Sequence, residues 1–318
     1  MTRVLVTGAS GFVGTALVDK IKCDKHFELS ASVRDARQLS GVLTHQIPDL
    51  AAETSWAAAL EGVDIVIHTA ARVHVMRDAS TDPLADFRKI NVDGTLNLAR
   101  QAAASGVRRF IFLSSIKVNG ESTALGQPFK PDDIPCPLDP YGVSKMEAEK
   151  ALLTLAEQSD MEVVIIRPVL VYGPGVKANF LNMMRWLSKG IPLPLGAIHN
   201  ARSLVGIDNL VDLIVTCVSH PAAANQIFLV SDGEDLSTTQ LLVRISRALK
   251  KPSRLVPVPS WILDFAARLA GKGDFSKRLC GSLQVDISKT RKLLGWAPVT
   301  SVDQGLADTV SFFLKQGK

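Results

Sequence analysis

Tyr141 and Lys145 are the two residues whose types and spacing most directly suggest chemistry. Residues four apart in a helix share a face, so the phenol and the ammonium are expected to lie side by side. A phenol loses its proton at about pH 10, and a nearby positive charge favours the phenolate and lowers that pKa. Such a phenol can donate or accept a proton at a carbonyl or an alcohol. The alternative is an ordinary exposed Tyr–Lys pair.

A hydroxyl group is expected beside this pair. Ser114 and Ser115 end a strand predicted over Phe110–Ser114, and ligands of parallel sheets bind at the carboxyl ends of the strands. We prefer Ser115 as the residue that hydrogen-bonds the reacting oxygen. Two serines that merely terminate the strand are the alternative interpretation.

A glycine turn near the start of the chain predicts a dinucleotide site. Gly8, Gly11 and Gly14 follow the apolar run Val4–Val6 and lead into a helix predicted over Phe12–Ile21. Gly8 permits the tight turn, Gly11 lets the backbone approach a pyrophosphate, and Gly14 allows close helix packing. The free N–H groups of the helix would bind the phosphates. Glycines that serve only as loop punctuation are the alternative.

The elements that must position these residues alternate between strand and helix. Strands are predicted over Arg3–Thr7, Glu28–Val33, Ile65–His68, Phe110–Ser114 and Val163–Arg167. Helices are predicted over Phe12–Ile21, Trp56–Leu60, Leu84–Ala104, Tyr141–Gln158, Leu236–Leu249 and Trp261–Leu269. Continuous apolar strands indicate a parallel sheet covered on both faces.

The predicted fold class is α/β, a doubly wound (Rossmann) parallel sheet with a smaller C-terminal α/β substrate lobe. The regular alternation of strands and helices ends after Pro168, where Pro- and Gly-rich loops begin. We therefore predict a dinucleotide-binding domain over residues 1–168 and a substrate lobe over 169–318, with some segments of the lobe returning to the first domain.

Charge and composition exclude several classes of protein. The 318 residues have a formal net charge of +5, but the basic residues form no run, so nucleic acid is not expected as a partner. The four cysteines are far apart and predict neither a metal site nor a disulfide framework. The strand that begins at Arg3 leaves no room for a signal peptide, and no apolar run has transmembrane length. A cytoplasmic protein without membrane insertion is expected.

Together, the motifs of the chain resemble those of extended short-chain dehydrogenases/reductases of the nucleotide-sugar epimerase/dehydratase group. The match spans nearly the whole chain. The motifs are Thr7–Gly14, Asp64–Ala71, Asn91–Thr95, Ser114–Ser115, Tyr141–Lys145, Arg167–Pro168 with Val171–Pro174, and Asp286–Lys289 with Leu294–Trp296.

The resemblance implies a role for each matching residue. Tyr141 would be the general acid/base, Lys145 would hold the nicotinamide ribose, and Ser115 would orient the substrate oxygen at C4. The cofactor site would comprise Gly8, Ser10, Gly11, Phe12, Val13, Gly14, Arg34, Asp49, Leu50, Ala70, Ala71, Asn91, Tyr141, Lys145 and Pro168. Asn91 has an alternative role as a helix cap.

The partner implied by the resemblance is a nucleotide-diphosphate sugar. Asn179 and Arg202 fall where the family binds the diphosphate, and an Arg fork suits phosphate oxygens. Arg278 is a further candidate, with a solvated surface arginine as the alternative. The family also implies a homodimer built on the helices Leu84–Ala104 and Tyr141–Gln158.

The choice of cofactor depends on the residues after the second strand. Arg34 there could face the 2′-phosphate of NADP, whereas an acidic residue would bind the 2′-hydroxyl of NAD. Asp35 follows immediately. We favour NADP, with NAD as the alternative.

Residues that depart from the family pattern narrow the set of reactions that the enzyme could catalyse. Ile116 and Lys117 stand where dehydratases carry an Asp-Glu pair, and a 3,5-epimerising reductase would need a cysteine in place of Ile116. With these two reactions disfavoured, the remaining reaction of the family is hydride transfer at C4 of the sugar. Leu170 replaces an Asn common in epimerases, and Asn119 replaces a common aromatic residue.

These departures favour a 4-ketoreductase. The stretch Ser115–Glu121 resembles enzymes of surface-polysaccharide synthesis that reduce a UDP-4-keto-6-deoxy-N-acetylhexosamine to UDP-N-acetylquinovosamine. A UDP-sugar 4-epimerase with tightly bound NAD is the alternative. A catalytically silent dinucleotide-binding regulator is a remote third reading, since fold alone does not prove catalysis.

Overall fold

The computed structural model describes residues 1–35, 38–73, 81–269 and 279–316. The strands are β1 (Thr2–Thr7), β2 (Phe27–Val33), β3 (Leu43–Gln46), β4 (Ile65–His68), β5 (Arg109–Leu113), β6 (Glu162–Pro168), β7 (Leu170–Tyr172), β8 (Arg202–Gly206), β9 (Gln226–Val230) and β10 (Asp235–Leu236). The helices are α1 (Phe12–Ile21), α2 (Ala57–Leu60), α3 (Pro83–Arg88), α4 (Thr95–Ala104), α5 (Pro140–Glu157), α6 (Ala178–Ser188), α7 (Ile207–Ser219), α8 (Thr238–Ala248), α9 (Ser260–Leu269), α10 (Ser288–Leu294) and α11 (Val302–Gln316).

The larger sheet has seven strands in the order β3-β2-β1-β4-β5-β6-β9. All neighbouring strands in it are parallel. The direction in which strands are added reverses between β1 and β4, and ligands of doubly wound sheets bind at this reversal. The predicted doubly wound fold is thereby confirmed.

Apolar side chains cover both faces of this sheet, which is why its strands read as continuous apolar runs. Along β1, Val4 and Val6 pack with Leu17 of α1 and Leu210 of α7. Leu5, between them, points to the opposite face and packs with the side of the sheet that α2, α4 and α5 cover. Because successive side chains of a strand point to opposite faces of the sheet, each strand contributes residues to two separate hydrophobic cores.

A smaller lobe surrounds a three-stranded sheet of order β10-β8-β7. Its core joins Tyr172 of β7 to Phe180 of α6, Leu242 of α8 and Leu306 of α11. β9 follows β8 in the chain but belongs to the large sheet. The domain boundary at residue 168 stays a prediction.

One predicted helix is interrupted. Leu84–Ala104 was expected to be continuous, but Lys89–Gly94 forms a π-helical turn between α3 and α4. Gly94 in this turn lies against the backbone of residue 50: a Cβ built on Gly94 would lie 2.5 Å from the carbonyl oxygen of Leu50. Widened turns of this kind occur frequently at functional sites.

Among the described residues, no helix has both the length and the apolar character that crossing a bilayer requires.

Candidate active site

The glycine turn between β1 and α1 is shaped by two close backbone contacts. Gly8 has φ of +72°, and a Cβ on it would lie 2.6 Å from the amide nitrogen of Ala70, just after β4. A Cβ on Gly14 would lie 2.1 Å from the carbonyl oxygen of Gly8. Side chains at either position would push β4 or α1 away from the turn. The structure thus brings together the predicted residues Gly8, Gly14 and Ala70.

The N-terminus of α1 is open. Its N-cap is Gly11, and no side chain in the described part of the chain caps the helix. Ser10 and Gly11 are exposed, while Phe12 and Val13 begin the helix half-buried. The uncapped N–H groups carry the positive end of the helix dipole, so this cradle fits the pyrophosphate of a dinucleotide.

Asn91, inside the π-helical turn, fixes the segment after β4. Its Oδ1 accepts a hydrogen bond from the Arg72 amide (2.8 Å), and its Nδ2 donates to the Arg72 carbonyl (3.0 Å). The same Nδ2 donates to Ser144 Oγ (3.0 Å), which in turn donates to the Tyr141 carbonyl (2.8 Å). Asn91 therefore connects the loop after β4 to the first turn of α5.

Tyr141 and Ser115 meet where β5 and α5 face each other. The phenol of Tyr141 lies beside the side chain of Ser115, whose Oγ accepts a hydrogen bond from the Lys117 amide (3.3 Å). The ring of Tyr141 packs edge-on against Phe87 of α3, with centroids 5.9 Å apart. Burial and the nearby charge of Asp139 raise the pKa of Tyr141 to about 12, while the Ser115 side chain opposes them.

The raised pKa differs from the expectation that Lys145 lowers it. The protein groups around Tyr141 hold the phenol protonated at neutral pH. The positive charge of an oxidised nicotinamide is an influence that would favour the phenolate.

Lys145 is 1% exposed, and its Nζ lies 3.8 Å from the centroid of the Phe112 ring. Burial lowers the pKa of Lys145 to about 7, although the charge of Glu149 opposes the shift. Nζ makes no hydrogen bond to any residue in the described ranges, an unusual state for a buried ammonium. A pair of ribose hydroxyls would satisfy it, so the residues present fit a dinucleotide here as well.

His68 packs against Phe112, the ring that Lys145 Nζ faces, and no role for it is predicted from the sequence. Its ring stacks on Phe112 with centroids 5.9 Å apart. Its two nitrogens hydrogen-bond Thr7 Oγ1 (2.6 Å) and Thr95 Oγ1 (3.0 Å). Burial, together with the charge of Lys145, lowers the pKa of His68 to about 3. The imidazole therefore stays neutral and adds no charge near the ammonium.

Glu149 and Arg167 form a buried ion pair one turn further along α5. Arg167 Nη2 lies 2.6 Å from Glu149 Oε2, and both side chains are nearly inaccessible. Ser114 Oγ donates to Glu149 Oε1, so the pair joins the end of β5 to α5. Asn119 belongs to this network, because its Oδ1 accepts from Arg167 Nη1 (2.9 Å). The spacing of Lys145 and Glu149, four residues apart, was the available signal in the sequence.

The burial of Lys145 predicts a pH dependence of stability. The unfolded chain keeps this proton up to about pH 10.5, whereas the folded chain releases it near pH 7. The unfolded state therefore binds more protons in between, and stability should rise with pH across that window. Urea midpoints of wild type and Lys145→Met, measured from pH 7 to about 9.5 without added dinucleotide, should show the rise in wild type only.

Lys150→Met is the matched control, since Lys150 lies exposed on the same helix. It should retain the rise of the wild type. A difference between wild type and Lys145→Met that does not change with pH would contradict the lowered pKa.

The remaining predicted cofactor residues lie along the carboxyl edge of the sheet. Arg34 directly follows β2 and is exposed, and Pro168 ends β6 and is buried. Asp49 Oδ1 accepts from the Leu50 amide (2.8 Å). Ala71 follows Ala70 after β4. Their contacts with a cofactor stay predictions.

The predicted substrate residues lie in the smaller lobe. Asn179 is exposed in the first turn of α6. Arg202 in β8 is half-buried, and its Nη1 donates to the Gly281 carbonyl (3.1 Å). Arg278 lies outside the described residues. No group of three or more possible metal ligands occurs among the residues that are described.

Comparison with known proteins decides the family. The profile of the NAD dependent epimerase/dehydratase family matches residues 4–231. The chain belongs to this family. The resemblance seen in the sequence is confirmed, and the glycine turn, Ser115, Tyr141 and Lys145 all lie inside the matched region.

Relatives and solved structures extend the match to the whole length of this epimerase/dehydratase. It is 52% identical over 313 residues to a UDP-glucose 4-epimerase of Vibrio cholerae, covering 98% of this chain and 95% of the relative. UDP-glucuronic acid 4-epimerase from Bacillus cereus, solved in complex with NAD, has the same fold with TM-score 0.80, 20% identity and full coverage of both chains. RMD from Pseudomonas aeruginosa, complexed with NADPH, has TM-score 0.77 and 24% identity, and covers 99% of this chain and 100% of that one. One of these two solved structures thus holds NAD and the other NADPH.

Proposed function

We propose that the chain is a UDP-sugar 4-epimerase that acts on a UDP-hexose. The observation that carries the proposal is the meeting of Ser115, Tyr141 and buried Lys145 at the carboxyl edge of the sheet, beside an uncapped helix N-terminus. The 52% identity to the Vibrio cholerae UDP-glucose 4-epimerase favours this reaction over the reduction suggested by the local motifs.

Each of the three side chains has one task in this mechanism. A nicotinamide dinucleotide held at this site would supply reversible hydride transfer at C4 of the sugar. Tyr141 Oη takes the proton of the C4 hydroxyl and later gives it back to the carbonyl oxygen. Ser115, whose side chain lies beside Tyr141, orients that oxygen. Lys145 holds the nicotinamide ribose and keeps a positive charge near the phenol.

An epimerase must hold its dinucleotide through both half-reactions. Gly8, Gly11 and Gly14 form the cradle for the pyrophosphate, and Asn91 fixes the backbone after β4. Asp49 and Leu50 would contact the adenine. Contacts from all of these residues together would favour a retained cofactor over an exchanging one.

NAD is the resident cofactor in this proposal. A 4-epimerase of the same fold was solved in complex with NAD. The exposed Arg34 supports NADP as the alternative, because a guanidinium after β2 could pair with a 2′-phosphate. Asn179, Arg202 and Arg278 are proposed to bind the UDP diphosphate.

The test is interconversion without added cofactor. Purified protein given UDP-glucose should form UDP-galactose, and denaturing the protein should release a dinucleotide close to one per chain. The mass of that dinucleotide distinguishes NAD from NADP. A protein that releases no dinucleotide and interconverts no UDP-hexose would contradict the proposal.

Reduction of a UDP-4-keto-6-deoxy-N-acetylhexosamine is the second candidate. Leu170, 49% exposed at the start of β7, stands where an amide is common in epimerases and favours it. Stoichiometric loss of NADPH absorbance with that keto sugar, and no interconversion of UDP-hexoses, would establish the reductase instead.

A further inference from the structure

Helix α9 carries an apolar stripe that points away from the protein. Trp261, Phe265 and Leu269 follow one another at intervals of four residues and are 69%, 63% and 75% exposed. Leu263 on the other side of the helix packs against the core of the smaller lobe. The helix is therefore docked by one face and presents its most apolar residues on another.

Two loops that pair with each other lead into α9 and also carry exposed apolar side chains. The Leu193 amide donates to the Arg254 carbonyl (2.9 Å), and the Val256 amide donates to the Leu193 carbonyl (2.8 Å). A bridge between Ala197 and Pro259 then leads into α9. Ile191 and Val256, on these two loops, are 43% and 46% exposed. Exposed apolar side chains are thus concentrated in α9 and the two paired loops that precede it.

Exposed basic side chains, called here the basic border, are concentrated in the same segments of the chain. The segments 178–196 and 249–269 contain six basic residues and one carboxylate, Asp264. The whole chain has 36 basic and 31 acidic residues, so these two segments alone hold a surplus as large as that of the entire protein. All six basic side chains are exposed: Arg185, Lys189, Lys250, Lys251, Arg254 and Arg268.

We propose that α9 and its two neighbouring loops dock the protein on an anionic membrane surface. The aromatic and aliphatic stripe would enter the boundary between headgroups and acyl chains, and the basic border would contact anionic headgroups. A protein partner fits less well, because lysine is depleted at protein interfaces and three of the six basic residues in these segments are lysines. A second copy of the chain would bring two positive surfaces into contact.

Vesicle flotation of the full-length protein tests the docking. Binding to vesicles of phosphatidylcholine with phosphatidylglycerol should exceed binding to phosphatidylcholine alone by at least about tenfold. The double variant Trp261→Ser/Phe265→Ser should lose at least about tenfold of that binding. The matched control is Leu125→Ser/Ile134→Ser, which removes apolar residues that are 68% and 89% exposed elsewhere on the molecule. It should bind like wild type.

A charge variant keeps the test independent of the apolar stripe. Lys250→Glu/Lys251→Glu should weaken binding to anionic vesicles and leave binding to neutral vesicles unchanged, and added salt should act in the same direction. Equal binding of wild type to both kinds of vesicle would overturn the proposal. So would a dimeric wild type whose Trp261→Ser/Phe265→Ser variant is monomeric in size-exclusion chromatography, because the stripe would then cover a second copy. Interconversion of a soluble UDP-hexose is measured in parallel, so failure of docking and failure of the proposed reaction remain distinguishable.

Discussion

Replacing Tyr141 by phenylalanine is expected to lower turnover at least about a hundredfold while the dinucleotide stays bound. The change removes one hydroxyl, the group proposed to move the C4 proton, and keeps the ring that packs against Phe87 at 5.9 Å. Lys145, proposed to hold the ribose, is untouched. Turnover is measured by UDP-hexose interconversion, and the dinucleotide content is measured after denaturation.

Tyr172→Phe is a close control, because Tyr172 is the only other tyrosine of the chain. Its hydroxyl donates to Asp232 Oδ2 (2.8 Å) inside the smaller lobe. Losing this buried hydrogen bond to a carboxylate should cost about 1.5–3 kcal/mol of stability, with turnover per folded molecule unchanged. If Tyr141→Phe kept wild-type turnover, the role assigned to the phenol would be wrong.

The proposed proton transfer depends on Tyr141 and Lys145, whose pKa values the protein shifts in opposite directions. The pKa of Tyr141 is raised to about 12, so the phenol keeps its proton. The pKa of Lys145 is lowered to about 7, so the ammonium is only partly charged at neutral pH. Diphosphate and ribose oxygens of a bound dinucleotide would favour the charged lysine. Binding of the cofactor is thus expected to prepare both groups together.

Local sequence patterns were sufficient to predict the strands and helices that are marked by an apolar run or by the glycine turn. The apolar runs and the glycine turn predicted β1, α1, β4, β5 and β6 to within one or two residues. The strands β7 and β10 have three and two residues, too few to show a period, and they were not predicted. β8 and β9, with five residues each, were not predicted either. β3 is as short as β4 but is little buried, so it has no apolar run to reveal it.

The hydrogen bonds that hold the candidate site in place could not be predicted from the sequence, because they join residues far apart in the chain. Ser115, Tyr141 and Lys145 were named from their types and spacing, and the structure brings them to one edge. The interruption of the helix at Asn91 arises because that side chain bonds the backbone of Arg72, nineteen residues earlier. The sequence places His68 at the end of an apolar strand and within the motif Asp64–Ala71, but it predicts no role for the side chain. Its hydrogen bonds to Thr7 and Thr95 span 61 and 27 residues.

Replacing Gly8 by alanine is expected to weaken dinucleotide binding at least about tenfold and to destabilise the fold by more than the cost of a left-handed alanine, about 1–2 kcal/mol. The added Cβ would lie 2.6 Å from the Ala70 amide nitrogen and 2.8 Å from its Cα. Both are backbone atoms of the segment that follows β4, so relief requires β1 and β4 to shift at their carboxyl ends. Dinucleotide affinity and the urea midpoint are the two measurements.

Gly106→Ala isolates the contribution of the left-handed backbone. Gly106 has φ of +80°, close to the +72° of Gly8, but a Cβ there meets no atom within 4 Å. It lies just after α4 and away from the turn, so it should lose only the stability that the strained backbone costs and bind the dinucleotide like wild type. If the two alanine variants lost equal stability and both kept their affinity, close approach of β4 to the glycine turn would not be what shapes the cofactor site. A loss of affinity confined to Gly8→Ala would assign that role to the contact with Ala70.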